Sequence, residues 1–313
     1  MASATTAAVA GAGGGPPAPP SSPAVLAGEA AFRAARRARR SASLLWGAVL
    51  LVLLVVAGWV SEVDPATLAA GAPRIFEYFG RILPSLRWDA LFAGPGTEGS
   101  LAFWFYRLDE WAWLLFETAN MAALATLMGA VVALPLSFLA ARNLSRGGIG
   151  TALARRSLEA VRTVPEIVYA LILVWAFGVG ALAGILAIAI HTAGALGKLF
   201  SEVVENAAMG PWDGVRASGG TWWGGCRWAV LPQVAPNLLS YVLLRFEINV
   251  RGASVIGFVG AGGIGAELYQ VIAFNYYEEI SAIVVLIILA VASIDLLSER
   301  LRRALILGDG RGA

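Results

Sequence analysis

The sequence predicts an all-α polytopic membrane protein with about six transmembrane helices, and three observations predict it. Of 313 residues, 58% are hydrophobic and 14% charged, against about 45–50% and about 25% in average soluble domains. Charge-free runs recur that approach or exceed the roughly 20 residues a spanning helix needs. The basic residues gather between alternate runs, as they do when short loops face the cytoplasm in turn. The mean hydropathy of +0.72, the 36 glycines and the 11 tryptophans suit a bilayer, where glycine packs helices and tryptophan sits at interfaces. A single cysteine and a single histidine exclude an intrachain disulfide and multi-histidine metal sites.

In chain order, residues 1–40 read as a disordered, basic cytoplasmic tail, because the first 30 residues are Ala, Gly, Pro, Ser and Thr with almost no bulky side chain. Residues 41–61 form the first anchor, uncleaved, since the stretch before it is too long for a signal peptide. Residues 62–115 are an extracytoplasmic loop whose aromatic stretches (Ile75 to Phe79, Leu101 to Tyr106, Trp111 to Trp113) are read as amphipathic segments resting at the interface, with a partner-contact role as the alternative. Residues 116–303 hold the remaining spans and 304–313 a cytoplasmic tail. Glu117 opens the second span. The run from Glu166 to Lys198 is too long for one helix, and Gly178-Val179-Gly180 is where it turns. The fifth span runs from about Pro236 to Phe258 and the last from Ile280 to about Leu297.

The charges test this division. Seventeen of the 23 Lys and Arg residues fall in the segments placed in the cytoplasm, while the loop before Leu115 carries four against seven acids. The segment Gly260 to Glu279 has three acids and no base. Six spans with both termini cytoplasmic follow.

Between spans four and five lies a polar, glycine-rich stretch, about 202–235. Pro211 and Asp213 open a short helix there, Gly219 and Gly220 break it, and Leu231-Pro232 stops a second helical stretch before a new span begins at Pro236. Its spacing resembles the cytoplasmic motif EAA-x3-G-x9-I-x-L-P of ABC importer permeases. Asp213-Gly214-Val215 stands at EAA, Gly219 at the glycine, Ala229 at the isoleucine, and Leu231-Pro232 at the final pair. The stretches TVPEIVYAL (Thr163 to Leu171), HTAGALGKLFSEVVE (His191 to Glu205), VLPQVAPNLLSYVLLRFEINVR (Val230 to Arg251) and GFVGAGGIG (Gly257 to Gly265) are similar to the phosphonate importer permeases, of the methionine-permease-like fold group.

The resemblance implies a transport subunit in the bacterial inner membrane, with no chemistry of its own. A second permease copy, identical or sibling, completes the path, two ATP-binding subunits grip the coupling helices, and an extracytoplasmic phosphonate-binding protein delivers the ligand. Membrane lipid surrounds it and no nucleic acid is involved. The coupling helix is then about Glu205 to Gly219, with Asp213, Arg216 and Gly219 meeting the ATPase and Leu231 and Pro232 closing the motif. The chain has no cofactor of its own, because its only lysine, Lys198, is not in a Walker A sequence. ATP and Mg belong to the partner.

Ionisable groups at bilayer depth mark a pathway or a pair. The fifth span carries Arg245, Glu247, Asn249 and Arg251. Glu247 and Arg251 share a helix face and can pair, while Arg245 and Asn249 share the neighbouring one. The net +1 suits a path for a phosphorus oxyanion such as phosphonate, phosphite or phosphate, which guanidinium matches in a bidentate way; interior pairing that fixes helix packing is the other reading. Glu166 is a helix cap or a path residue, and His191 a packed polar group, a path lining or a proton-sensitive gate.

Gly260-Ala261-Gly262-Gly263-Ile264-Gly265 matches G-x-G-x-x-G, and a membrane-bound NAD-dependent oxidoreductase is the rival this raises. The flanking apolar spans leave no room for strand–helix units, so Gly260, Gly262, Gly263 and Gly265 are read as turn and helix-packing residues. An ion-gradient-driven secondary transporter is the other alternative, with neither the internal repeat of that class nor a use for the coupling stretch.

Overall fold

The computed structural model describes residues 23–145 and 148–308. The sequence expectations for residues 1–22 and 309–313 lie outside them. Among the described residues every regular element is helical, and the chain divides into two compact units at Ile75 and Phe76.

The first unit holds α1 (Pro23–Val60) and most of α2 (Pro65–Ile82). Helix α1 starts well before the expected anchor and takes in residues 23–40, which the sequence reading places in the disordered tail. Pro23 sits at a helix start, where its fixed φ suits the first turn, and the Ala- and Arg-rich sequence that follows has high helix propensity. The apolar side chains from Leu44 to Val60 are exposed.

In the second unit, α3 (Leu101–Trp104) is capped by Ser100, whose Oγ accepts from Phe103 N at 3.0 Å. Helix α4 (Leu108–Ala140) follows. The second span therefore starts at Leu108 and not at Glu117, which lies half-buried inside it. Asp109 and Glu110 do not break it, because acids in a first turn complement the helix dipole. Arg107 in addition pairs with Glu110 at 2.7 Å and with Glu267 at 2.9 Å.

Helix α5 (Ile149–Thr163) and α6 (Glu166–Phe177) meet at 84°. Pro165 forces the bend: the residue before a proline is held extended, and Val164 has ψ 124. With 12 residues, α6 is about 18 Å long and falls short of a bilayer core of about 30 Å. Gly178 and Gly180 then take positive φ (86° and 149°) and turn the chain into α7 (Ala181–Glu205), at the turn the sequence predicts.

Helices α4 and α7 pack through small residues. Ala122, Ala125, Ala133 and Ala187 are fully buried, and a Cβ on Gly129 would stand 2.7 Å from Thr192 Cγ2. In lipid, close backbone approach and van der Waals contact replace the hydrophobic drive between helices.

The polar stretch after α7 is α8 (Gly210–Ala217), α9 (Trp222–Gly225) and a π-helical turn (Cys226–Val230) that runs straight into α10 (Leu231–Ile256). Leu231-Pro232 thus does not stop a helix; it begins one. Proline is tolerated in a first turn, and in the π turn before it the Leu231 N–H donates to the Cys226 carbonyl, five residues back. After a 3₁₀ turn (Gly257–Val259), α11 (Gly263–Ala273) and α12 (Tyr277–Gly308) complete the chain. Among the described residues four helices are long and apolar enough to span alone, and up to six spans result when each bent pair, α5 with α6 and the α9–α10 segment with α11, counts as one.

Candidate functional site

Three helices of the second unit meet at Arg245. Its Nη2 lies 2.6 Å from His191 Nδ1 on α7 and 3.6 Å from Glu166 Oε2 on α6. His191 Nδ1 stands 3.1 Å from the same carboxylate oxygen. Glu166 reaches this point because the Pro165 bend makes it the first residue of α6. One turn along α10, buried Asn249 donates to Thr126 Oγ1 on α4 at 2.8 Å and to Thr192 Oγ1 on α7 at 2.9 Å, which fixes the α10 face that carries Arg245. The trio is not sealed: Arg245 is 12% exposed and Glu166 27%.

A second polar group lies between α10 and α12. Glu247 Oε1 accepts from Arg251 at 3.0 Å, one turn away as the spacing predicts, and its Oε2 accepts from Arg302 at 3.3 Å. Arg251 also stands 3.9 Å from Asp295. The charges of α10 are thus shared between two clusters, and the +1 counted along the span disappears. Glu166 balances Arg245, and Arg302 and Asp295 balance each other beside the Glu247–Arg251 pair. Asp295, Arg302 and Thr126 had not been singled out from the sequence, because their roles exist only across helices.

In the polar stretch between α7 and α10, α8 is shorter than the expected helix from Glu205 to Gly219. Glu205 ends α7, where its Oε1 accepts from Arg155 at 2.5 Å and from the backbone of Arg142 at 2.9 Å; it clamps α4, α5 and α7 together. Asp213, Arg216 and Gly219 are exposed on or just after α8, and Gly219 has φ +85, which ends the helix where the sequence predicts. Trp212, 8% exposed, lies against Gly225, where a Cβ would come within 2.5 Å of its Cζ3. Asp213 and Arg216 face a cavity of about 670 Å³ shared with Asn143, Ser145 and Trp222. Leu231 packs partly buried beside this core, and Pro232 is exposed.

The glycine segment is a helix entry. Gly260, Gly262 and Gly263 have φ of 90°, 81° and 69°, and a Cβ on Gly265 would collide with the Ser254 carbonyl oxygen. Ile264 N donates to Thr118 Oγ1 at 2.9 Å. No strand precedes the segment, since Ser254–Ile256 ends α10. Among the described residues no group of three or more His, Cys, Asp and Glu side chains is placed to hold a metal ion.

Residues 133–306 match the family model described as the inner membrane component of binding-protein-dependent transport systems. The chain belongs to that family. This permease subunit is 35% identical over 252 residues to the phosphite transport system permease protein PtxC of Stutzerimonas stutzeri, over 80% of this chain and 85% of that one. It is 34% identical over 252 residues, 80% of this chain, to the phosphate-import permease protein PhnE of Mycolicibacterium smegmatis, of which it spans only 44%. A third relative, PhnE2 of Escherichia coli (strain K12), is 50% identical over 118 residues, 38% of this chain and 97% of that one; its provisional description is a cryptic phosphonate transport system permease protein. In fold, the permease resembles a chain of the MetNI methionine ABC transporter in an inward-facing conformation, with TM-score 0.55, 21% identity, and coverage of 64% of this chain and 98% of that one. It is an ABC importer permease subunit and a multi-pass inner-membrane protein, a transport subunit and not an enzyme.

Proposed function

We propose that the permease forms the translocation path for a small phosphorus oxyanion (phosphonate, phosphite or phosphate), paired with a second permease copy. Ligand arrives from an extracytoplasmic binding protein, two ATPase subunits bind the cytoplasmic face, and both chain termini lie on that face. The observation that carries the substrate reading is the incompletely buried Arg245 guanidinium at the meeting of α6, α7 and α10, in a chain whose relatives are named for phosphorus oxyanions. Such ions offer several strong acceptor oxygens to a bidentate guanidinium. ATP and Mg are held by the partner.

The coupling element on this reading is α8, with Asp213, Arg216 and Gly219 presented to the ATPase. Eight residues cannot hold a helix alone, so the buried Trp212 is what keeps α8 in place. Replacing Asp213 by Lys together with Gly219 by Trp is expected to abolish ligand-stimulated ATPase activity of the assembled transporter and to weaken co-purification of the ATPase. Full stimulation in that double variant contradicts the assignment of α8.

A further inference from the structure

Resting on the reading of Arg245 as a path residue, we propose that Glu166 is an internal stand-in for the transported anion: its carboxylate occupies the oxyanion place on Arg245 and His191, Gly252 leaves the space that lets it do so, and substrate enters by displacing it.

Four observations carry this. One oxygen of Glu166, Oε2, faces both groups, 3.1 Å from His191 Nδ1 and 3.6 Å from Arg245 Nη2, while Arg245 Nε stands 3.5 Å from Thr192 Oγ1. The other oxygen lies over Gly252 of α10, where a Cβ would stand 2.7 Å from Oε1. A glycine inside a helix is destabilising by roughly 0.5–1 kcal/mol against alanine, and among the described residues the side-chain atoms within 4 Å of a Cβ built there belong to Glu166. The arrangement is also partly open, with 27% of the Glu166 side chain exposed, so an incoming ion can reach it. Lastly, the two donors do not hold the carboxylate in a closed lock. His191 Nδ1 is also 2.6 Å from Arg245 Nη2, and one ring nitrogen accepts from the guanidinium or donates to the carboxylate, never both at once.

Displacement has somewhere to go. Glu166 is the first residue of α6, where Pro165 supplies no side-chain cap, and the positive dipole end of that helix favours a carboxylate. A phosphorus oxyanion brings a higher charge or more acceptor oxygens than the single carboxylate it replaces, and charge-assisted bonds to Arg strengthen accordingly. Glu166 thereby sets a threshold that weak monoanions with few acceptors do not pass.

A structural lock between α6, α7 and α10 predicts the opposite sign for Glu166→Gln and for Gly252→Ala, which makes the test direct. The transporter, assembled with its ATPase and binding protein in proteoliposomes, is assayed for uptake of inorganic phosphite, phosphate and methylphosphonate, and its thermal unfolding is followed in parallel. Glu166→Gln is expected to lower the half-saturating concentration by about five-fold, the scale of one partly exposed ion pair, or to raise ligand-independent ATPase activity. Gly252→Ala, which pushes the carboxylate off its place, is expected to act in the same direction and to add nothing in a Glu166→Ala background. Loss of uptake in both Glu166→Gln and Gly252→Ala, whether with an unchanged or a lowered unfolding temperature, overturns the stand-in role. If Arg245→Met transports normally, the path reading itself fails, whereas a dead Arg245→Met beside a dead Glu166→Gln removes only the stand-in.

Discussion

Trp212→Ala is the perturbation that separates α8, the proposed coupling helix, from the rest of the fold. The indole is 8% exposed and its ring edge lies over Gly225, where a Cβ would come within 2.5 Å of Cζ3 and 2.7 Å of Cε3. Truncating a buried Trp costs about 3–5 kcal/mol. The loss falls on α8 and not on the whole domain, because α8 has eight residues and helices below about 12–15 residues are marginal without packing. A penalty of that size changes the docked population of α8 by more than about a hundredfold. Amide exchange across 210–217 is expected to accelerate, and ligand-stimulated ATPase activity to fall by at least about ten-fold, while α4 and α7 keep their protection. Trp212→Phe retains part of the contact and is intermediate. Gly225→Ala displaces the same ring and is expected to move both readouts in the same direction, by about 1–3 kcal/mol. The two changes share one contact, so their effects are not additive. Unchanged exchange over 210–217 with full stimulation in Trp212→Ala refutes the anchoring argument.

Other outcomes follow from single contacts. Gly265→Ala places a methyl against the Ser254 carbonyl oxygen, a backbone atom that cannot move alone; the overpacking penalty of about 1–3 kcal/mol is expected to lower the unfolding temperature in detergent, and an unchanged temperature contradicts the close α10–α11 approach. Burial, with the Glu279 carboxylate beside it, raises the Tyr106 phenol above its ordinary value. The protonated phenol is the form the fold favours, so this contribution to stability holds below the phenol range and is lost as pH rises through the raised value. Ultraviolet titration should show Tyr106→Phe removing one late-titrating phenol, and no change in the late phase is the contrary result.

The elements that were legible are those written in local spacing. The turn at Gly178-Val179-Gly180, the pairing of Glu247 with Arg251 at 3.0 Å and the end of α8 at Gly219 each depend on residues within a few positions of one another. Boundaries failed where a local signal was outvoted. Leu231-Pro232 reads as a stop, yet the preceding π turn lets the chain pass, and Glu117 reads as a start, yet Arg107 and the first-turn acids carry α4 back to Leu108. The candidate site was half legible. Its members could be named because charge in an apolar run is conspicuous, but the sharing of Arg245 with Glu166 and of Glu247 with Arg302 comes from helices 55 to 79 residues apart in the chain. Gly252 and Gly225 carry no sequence signal, since their meaning lies in what stands opposite them.

Uptake of phosphite by proteoliposomes carrying the transporter with Arg245→Met, measured beside its ATPase activity, tests the central claim most directly. Loss of uptake while ATP hydrolysis continues, with Arg245→Lys restoring part of it as a point charge without the bidentate fork, is the predicted result. Wild-type uptake in Arg245→Met contradicts the account.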